Sequence, residues 1–215
     1  MTDGAVEDRL PALARAVLDE GSGGVAARVV DIQGFSTWPG DELVVVDRGG
    51  VCHGAVLGAA GAERIVEAAR PLLGPAAGHG RDGLATAVVE IHGAAVAEAG
   101  LSCGGRAELL LQPTDTIPTE LWQRLAARAP VALLTRVDGQ GRSATSLAVD
   151  AQGTYGAALD PPSAVAVAEA RALLAGGHSA TRRVEDAAGT VLVEAWVPAP
   201  RLVVIGTGEM IGALD

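Results

Sequence analysis

The segment Gly100-Leu101-Ser102-Cys103-Gly104-Gly105-Arg106 carries the residue types best suited to chemistry. A cysteine thiolate is both a nucleophile and a soft metal ligand. The glycines on either side permit close backbone approach and can turn N–H groups toward an anion. The arginine adds a fixed positive charge that suits a phosphate group. We therefore predict a cofactor-binding site formed by Cys103, Gly104, Gly105, Arg106, Gly100 and Ser102, with a possible metal contact through Cys103. The alternative is that Cys103 is a small buried residue in a tight turn.

The same segment matches the G-x-S-x-G pattern of serine hydrolases at Ser102. That pattern works only when a strand precedes the serine and a helix follows it. Here an Ala-rich, helix-like stretch precedes the serine and a strand-like stretch follows it, so we predict no catalytic residue in this segment.

Among the remaining cysteine and the histidines, only His92, which ends a predicted strand, is a weak site candidate. Cys52 and His53 are adjacent on a predicted strand, so their side chains point to opposite faces. His79 and His178 lie in Gly-rich segments. The chain has no C-x-x-C or H-E-x-x-H spacing, which argues against a zinc site.

A second glycine pattern lies near the end of the sequence. Gly206-Thr207-Gly208 follows the apolar stretch 202–205 and precedes a helix-like segment, as at the start of a dinucleotide-binding βα unit. The pattern predicts an incomplete nucleotide-binding element at Gly206 and Gly208. We expect no NAD(P) or nucleotide binding by this element alone.

Composition excludes several functions. All 16 basic residues are arginine, which excludes a Schiff-base lysine and a Walker A lysine. The net charge of −10 argues against nucleic acid or an anionic membrane as the main partner. The acidic start of the sequence lacks the order of a signal peptide, and no apolar run reaches the ~20 residues of a membrane span. Two cysteines without an export signal are typical of a cytoplasmic protein.

Helix and strand patterns alternate along the chain, which predicts an α/β fold. Because hairpins outnumber βαβ units, we expect a mixed β-sheet with flanking helices. The Gly/Pro-rich stretch 74–83 is the best internal linker, and Thr116 is a predicted helix N-cap. Predicted helices cover 5–20, 61–73, a segment after Thr116 that ends at Pro130, and 163–177; predicted strands cover 25–33, 43–47, 51–58, 85–93, 107–113, 131–137, 143–150 and 154–160, and a hairpin is predicted around 187–189.

Several of these segments together resemble one family. GLSCGGRAELLLQP resembles the G-L-x-C-G-G-x-[IV]-E-[VL] signature of the xanthine dehydrogenase accessory proteins, the XdhC/CoxI family. AARVVDIQG resembles the first strand of these proteins, and GGVCHGAVLG resembles the hairpin that precedes their Ser-Gly-Gly-Cys motif. VEAWVPAPRLVVIGTGEMIGAL resembles the junction at which their Rossmann domain begins. The resemblance implies an accessory-protein domain over 1–197 and the start of an incomplete, truncated Rossmann domain over 198–215.

The resemblance also implies a function. Members of this family are maturation chaperones that bind the molybdenum cofactor (molybdopterin) and help deliver it to a molybdenum hydroxylase of the xanthine or CO dehydrogenase type. It implies a homodimer, a cysteine desulfurase as a possible further partner, and sulfur contact from Cys103 to the molybdenum centre. Two family elements differ here, because the family's cysteine falls at Ala60 and its arginine loop appears as Gly34–Pro39. The alternatives are therefore an NAD(P)- or nucleotide-dependent oxidoreductase fragment and a protein-interaction paralogue with no small ligand.

Overall fold

The computed structural model describes residues 9–19, 23–34, 43–54, 56, 61–73, 83–98, 103–137, 144–157, 159 and 163–199. Strands and flanking helices alternate along the chain, which confirms the predicted α/β class. The arrangement of the strands differs from the single mixed sheet that we expected. They form two separate five-stranded sheets, and every pairing in the described residues is antiparallel.

The first sheet has the strand order β3-β2-β1-β5-β4. Its strands are β1 (Val25–Gln33), β2 (Leu43–Val46), β3 (Cys52–His53), β4 (Ala85–Ile91) and β5 (Gly105–Pro113). One face of this sheet packs against α2 (Ala62–Ala69) and the short α3 (Ala94–Glu98), and the contact buries a cluster of aliphatic side chains. Because this cluster consists of Val, Ala, Ile and Leu, it forms without the aromatic residues that the chain largely lacks.

The second sheet has the strand order β8-β7-β6-β10-β9. Its strands are β6 (Val131–Val137), β7 (Ala144–Val149), β8 (Thr154–Gly156), β9 (Ala180–Asp186) and β10 (Gly189–Trp196). Helix α5 (Ala164–Gly176) covers its outer face. The Ser163 hydroxyl accepts a hydrogen bond from the Ala166 N–H and caps the helix. Gly177 ends the helix in the left-handed conformation that favours glycine.

The two sheets share a central apolar layer. Helices α1 (Arg9–Asp19) and α4 (Thr119–Ala126) contact each other and contribute to this layer, together with residues of both sheets. Its members are Leu13, Ala14, Val17, Ala26, Leu43, Val45, Ile117, Leu121, Trp122, Leu125, Val131, Leu133, Ala148 and Trp196. The sheets therefore lie face to face in one body, each with helices on its outer face.

A buried polar network crosses from one sheet to the other beside this layer. The Arg28 guanidinium on β1 contacts the Glu194 carboxylate on β10 and donates hydrogen bonds to Gln112 Oε1 at 2.7 Å and Thr135 Oγ1 at 3.3 Å. The Gln112 amide donates in turn to Ser146 Oγ at 2.9 Å. Burial raises the pKa of Glu194 to about 7, and the neighbouring Arg28 opposes that rise. The network ties β1 and β5 to three strands of the second sheet.

Helix α4 begins later than its sequence suggests. Thr116 does not cap it, because the Thr116 hydroxyl donates to the Pro113 carbonyl at 2.8 Å within a short 3₁₀ turn. Ile117 and Pro118 are extended, and the helix starts at Thr119. The reason is steric, since a proline disfavours helical φ and ψ in the residue before it.

Several predictions lie outside the described residues. These are the linker centred on 74–82, most of the loop 34–39, the family element around Ala60, and the Rossmann start from residue 200 onward, with Gly206 and Gly208. Among the described residues, none of the helices is long and apolar enough to cross a membrane.

Candidate functional site

One end of the first sheet brings three chain segments together. Because β5 runs antiparallel to both β1 and β4, the start of β5 lies beside the ends of the other two strands. The register pairs Gln33 with Arg106 on one side and Ile91 with Gly105 on the other. A bulge between Val29 and Asp31 shifts the register of β1 shortly before this end. Bulges are common where a strand must re-aim its last residues beside a site.

Cys103 lies at this end of the sheet, immediately before β5. Its side chain is partly exposed, and its thiol donates a hydrogen bond to the Gly34 carbonyl at 3.2 Å. Tertiary structure therefore places the cysteine against the end of β1, a strand 69 residues earlier in the sequence. The side chain is neither fully buried nor fully solvated, so a ligand entering at this end of the sheet could reach the sulfur.

Two glycines allow the segments to approach so closely. Gly34 has a φ of +92°, and a Cβ built there would lie 3.0 Å from the Gly104 carbonyl oxygen. A Cβ built on Gly104 would lie 2.5 Å from the Ile91 carbonyl oxygen and 3.3 Å from a methyl group of Val96. Gly104 excludes a larger side chain, since real Cβ atoms essentially never approach a backbone oxygen at 2.5 Å. At Gly34 a side chain would be strained by the positive φ and tight against the Gly104 carbonyl.

The structure gives Gly34 and Gly104 a steric role. From the sequence, we expected Gly104 and Gly105 to turn backbone N–H groups toward an anion. Neither of these two is among the described residues with positive φ, so neither supplies a left-handed residue to such a turn. The anion-binding role of Gly104 and Gly105 stays a prediction. Gly100 and Ser102, the other predicted members of the site, lie outside the described residues.

Arg106 is exposed on the sheet face opposite the α2 and α3 side. Its guanidinium lies 3.7 Å from the Glu90 carboxylate on β4, and both side chains are about half exposed. An exposed pair at this distance contributes little to stability, so Arg106 can turn to another anion at small cost. Arg106 follows Cys103 by three residues, so their Cα atoms lie at most about 11 Å apart. One extended ligand could contact both side chains.

The order of elements around Ser102 does not fit a nucleophile elbow. Helix α3 precedes the segment and strand β5 follows it, which is the reverse of the strand–turn–helix order that the elbow requires. The expected arrangement of these elements is confirmed.

Of the other sequence candidates, His92 directly follows β4 at this end of the sheet, and a Cβ built on Gly104 would lie 3.4 Å from its Nδ1. His79 lies outside the described residues, and Cys52, His53 and His178 lie on other elements. Cys52 packs against the aliphatic cluster beneath the first sheet, and burial raises the pKa of its thiol. His53, on the opposite face of β3, pairs with Asp47 at 2.7 Å. That contact, followed by the hydrogen bond from the Val51 N–H, holds the pKa of Asp47 below its usual value. His178 is exposed and contacts the Gly176 carbonyl.

No cluster of three or more His, Cys, Asp or Glu side chains suitable for a metal ion occurs among the described residues. Sequence reasoning missed the Arg28–Glu194 pair, which is the most buried charged contact described here. A signal was present, because each of these residues is a charge that interrupts an apolar stretch of strand, in VAARVV and VLVEAW. Because Arg28 and Glu194 carry opposite charges, the sequence also indicated that they could pair.

Comparisons with known proteins give a distant likeness only. No protein-family model matches the chain, and no curated protein matches it. The chain is similar to a crystal structure described as a xanthine dehydrogenase from Bacillus halodurans, with 18% sequence identity and a TM-score of 0.49. The match covers 68% of this chain and 44% of that chain, so this chain spans less than half of its length. The fold and the site define a two-sheet α/β protein with a partly exposed thiol where three segments meet.

Proposed function

We propose that this chain binds the molybdenum cofactor at the Cys103 end of the first sheet and assists its sulfuration or insertion into a molybdenum hydroxylase of the xanthine or CO dehydrogenase type. The observation that carries the proposal is the Gly-Leu-Ser-Cys-Gly-Gly element at 100–105, which resembles the signature of the xanthine dehydrogenase accessory proteins. Its cysteine lies partly exposed at the junction of three segments, where a ligand can reach it.

The available donor groups suit a cofactor that brings its own metal ligands. A bare metal ion needs three or four protein donors, and the described residues hold no such cluster. A single thiol is the donor that a soft metal centre accepts, and it completes a coordination that other ligands already supply. Cys103 would thus contribute one sulfur contact and would not hold the metal alone. Molybdopterin supplies the remaining sulfur ligands when it is bound.

Arg106 supports the proposal through its charge and its distance from the thiol. The pterin carries a phosphate, and this lysine-free chain must hold an anion with arginine or with backbone N–H groups. Arg106 is loosely paired with Glu90, and its Cα lies at most about 11 Å from that of Cys103, which it follows by three residues. A ligand with a metal at one end and a phosphate at the other could contact both residues.

Cofactor binding tests the proposal directly. The protein, Cys103→Ala and Cys52→Ala are purified without oxygen, incubated with molybdenum cofactor and freed of excess ligand. Bound pterin is then measured by fluorescence after oxidation, and molybdenum by elemental analysis. We expect the Cys103→Ala variant to lose about tenfold or more of both, since a charge-assisted or metal contact is worth well over 1.4 kcal/mol. The Cys52→Ala variant should retain both, because Cys52 packs against the core.

Arg106→Gln, with Arg182→Gln as an exposed arginine control on β9, tests the phosphate contact in the same assay. We expect weaker binding only for Arg106→Gln. The proposal fails if no pterin or molybdenum binds to the unaltered protein, or if the two cysteine variants bind alike. Failure with an intact fold would favour the alternative of an interaction protein without a small ligand.

A further inference from the structure

The two sheets have four edges in the part of the chain that the structure describes, and three of them are protected against pairing with other chains. β3 and β8 are only two and three residues long. β9 has seven residues, but four of them are charged: Arg182, Arg183, Glu185 and Asp186. Short length and charged side chains are the usual devices by which natural proteins protect exposed edges.

The fourth edge, β4, has neither protection. It is a seven-residue strand, Ala-Thr-Ala-Val-Val-Glu-Ile, without proline, glycine, lysine or arginine. It pairs with β5 on one side, and no described strand pairs with its other side. Val88, at its centre, is one of three large apolar side chains that are exposed in the described residues, with 39% of its surface accessible. A strand of this composition offers unpaired backbone groups to another strand.

We propose that β4 is an interface between two copies of this chain, which pair antiparallel about Val88 and join two first sheets into one ten-stranded sheet. Within each copy the β4–β5 pairing remains unchanged. The inference does not depend on a cofactor at Cys103, because it rests on the edge strand alone.

The sequence of β4 fits pairing with itself. In an antiparallel pair centred on Val88, that residue meets its own copy, and Thr86 meets Glu90 of the second copy. On the face that covers α2, Ala87 meets Val89 and Ala85 meets Ile91, so apolar rows continue from one copy to the other. Aligned apolar pairs and a Thr–Glu pair are favourable across strands, whereas like charges directly opposite are not. This register places no two charges of the same sign opposite each other.

Charge also favours this edge over other surfaces. The chain carries a net charge of −10, so two copies repel each other wherever acidic surfaces meet. The single charge on β4, Glu90, already has Arg106 beside it at 3.7 Å. The edge is therefore close to neutral. A seven-residue strand is about 23 Å long, which gives an interface at the small end of specific contacts. We expect a dimer whose population depends on protein concentration.

Sedimentation equilibrium across about two decades of concentration measures this population against the monomer mass of 21.5 kDa. We expect Val88→Lys to weaken dimerisation about tenfold or more, because two like charges would face each other across the interface. Within one copy, that lysine would lie opposite Glu108 on β5. Because the two charges are opposite, the substitution should not disturb the fold. Val165→Lys, at an exposed valine on α5, is the matched control and should dimerise normally. Circular dichroism checks that both variants fold.

Crosslinking tests the register independently of stability. Residues directly opposite in an antiparallel pair have Cα atoms about 4.5–5.5 Å apart, which a disulfide can span. Val88→Cys should therefore give a disulfide-linked dimer under mild oxidation, and Val165→Cys should not. A monomer at every concentration, or a dimer that Val88→Lys leaves unchanged, overturns the proposal. A dimer in which Val88→Cys fails to crosslink overturns the proposed register.

Discussion

Removing the arginine from the Arg28–Glu194 pair should cost the protein much of its stability. In Arg28→Met, an unbranched apolar side chain of similar length replaces the guanidinium, so the volume at the site is largely kept. The Glu194 carboxylate then stays between the sheets without its cation, and only 4% of its side-chain surface is exposed. Breaking a buried pair in this way costs about 3–5 kcal/mol, because one charge is left buried and uncompensated.

The hydrogen bonds of Arg28 add to this loss. The guanidinium donates to Gln112 Oε1 and to Thr135 Oγ1, and both acceptors are buried. An acceptor left without a donor costs about 1–3 kcal/mol unless it finds another partner. Domains unfold with about 5–15 kcal/mol in total, so the loss at the upper end of the expected range could unfold the chain. The fold of Arg28→Met is therefore first checked at low temperature and without urea, before its free energy of unfolding is measured.

The loss should depend on pH. Burial raises the pKa of Glu194 to about 7 from an ordinary 4.5, and Arg28 opposes the rise, so without Arg28 the pKa should rise further. Between those two pH values the folded state binds more protons than the unfolded state. This group's contribution to the free energy of unfolding is therefore full below its unfolded pKa, and it is lost as the pH rises through the folded pKa. We expect Arg28→Met to be more harmful near about pH 8 than near about pH 5, where protonation neutralises the carboxyl group.

Urea unfolding followed by tryptophan fluorescence measures these changes, since Trp122 and Trp196 are both buried in the central layer. Arg182→Met is the control, because Arg182 is exposed on β9 and its loss should stay within about 0.5 kcal/mol. The double variant Arg28→Met/Glu194→Leu should recover at least half of the loss, since no charge remains buried. The reasoning is refuted if Arg28→Met costs under about 1 kcal/mol, or if the double variant is no more stable than the single one.

Two further predictions concern close packing and a buried carboxylate. Gly104→Ala should lower the free energy of unfolding by about 1–3 kcal/mol, because its Cβ would lie 2.5 Å from the Ile91 carbonyl oxygen. Gly153→Ala is the control, since its nearest contact would be at 3.9 Å, and equal losses in urea titrations of the two variants would contradict the steric explanation. Asp150→Ala should cost about 1–3 kcal/mol, because the Asp150 carboxylate accepts the N–H groups of Gln152 at 2.7 Å and Gly153 at 2.9 Å. Burial raises the pKa of Asp150, but those two hydrogen bonds and Arg124 lower it overall; its stabilisation is therefore present above the ordinary carboxyl pKa and is lost as the pH falls through the lowered value. A penalty for Asp150→Ala that does not shrink in acid would contradict this.

Local patterns predicted most of the elements that the structure describes. The strand over 25–33 was predicted with the bounds that β1 has, because an apolar, β-branched stretch between glycine-rich segments has few alternatives. The hairpin around 187–189 is confirmed in the same way, as β9 and β10. Helix α4 was placed too early at its start, because the effect of Pro118 on Ile117 outweighed the capping tendency of Thr116. β3 is shorter than its predicted strand, 51–58.

The same reasoning predicted the residue types of the candidate site but not their arrangement. The residue types of the segment 100–106 indicated a thiol beside glycines and a cation, and that set of residues is a property of the sequence. Their arrangement was not. The contact between Cys103 and Gly34 depends on β5 lying beside β1, and the need for glycine at 104 depends on the ends of β4 and β5 lying against each other.

The sequence by itself determined the class of fold, the position of the strands and helices, and the absence of lysine chemistry, because periodicity and composition are local properties of the chain. Tertiary structure alone decided that the strands divide between two antiparallel sheets, that Arg28 meets Glu194 across 166 residues of sequence, and that β4 lies at an edge. The physical reason is that strand pairing is set by the burial of whole faces. Which faces meet depends on all the elements at once.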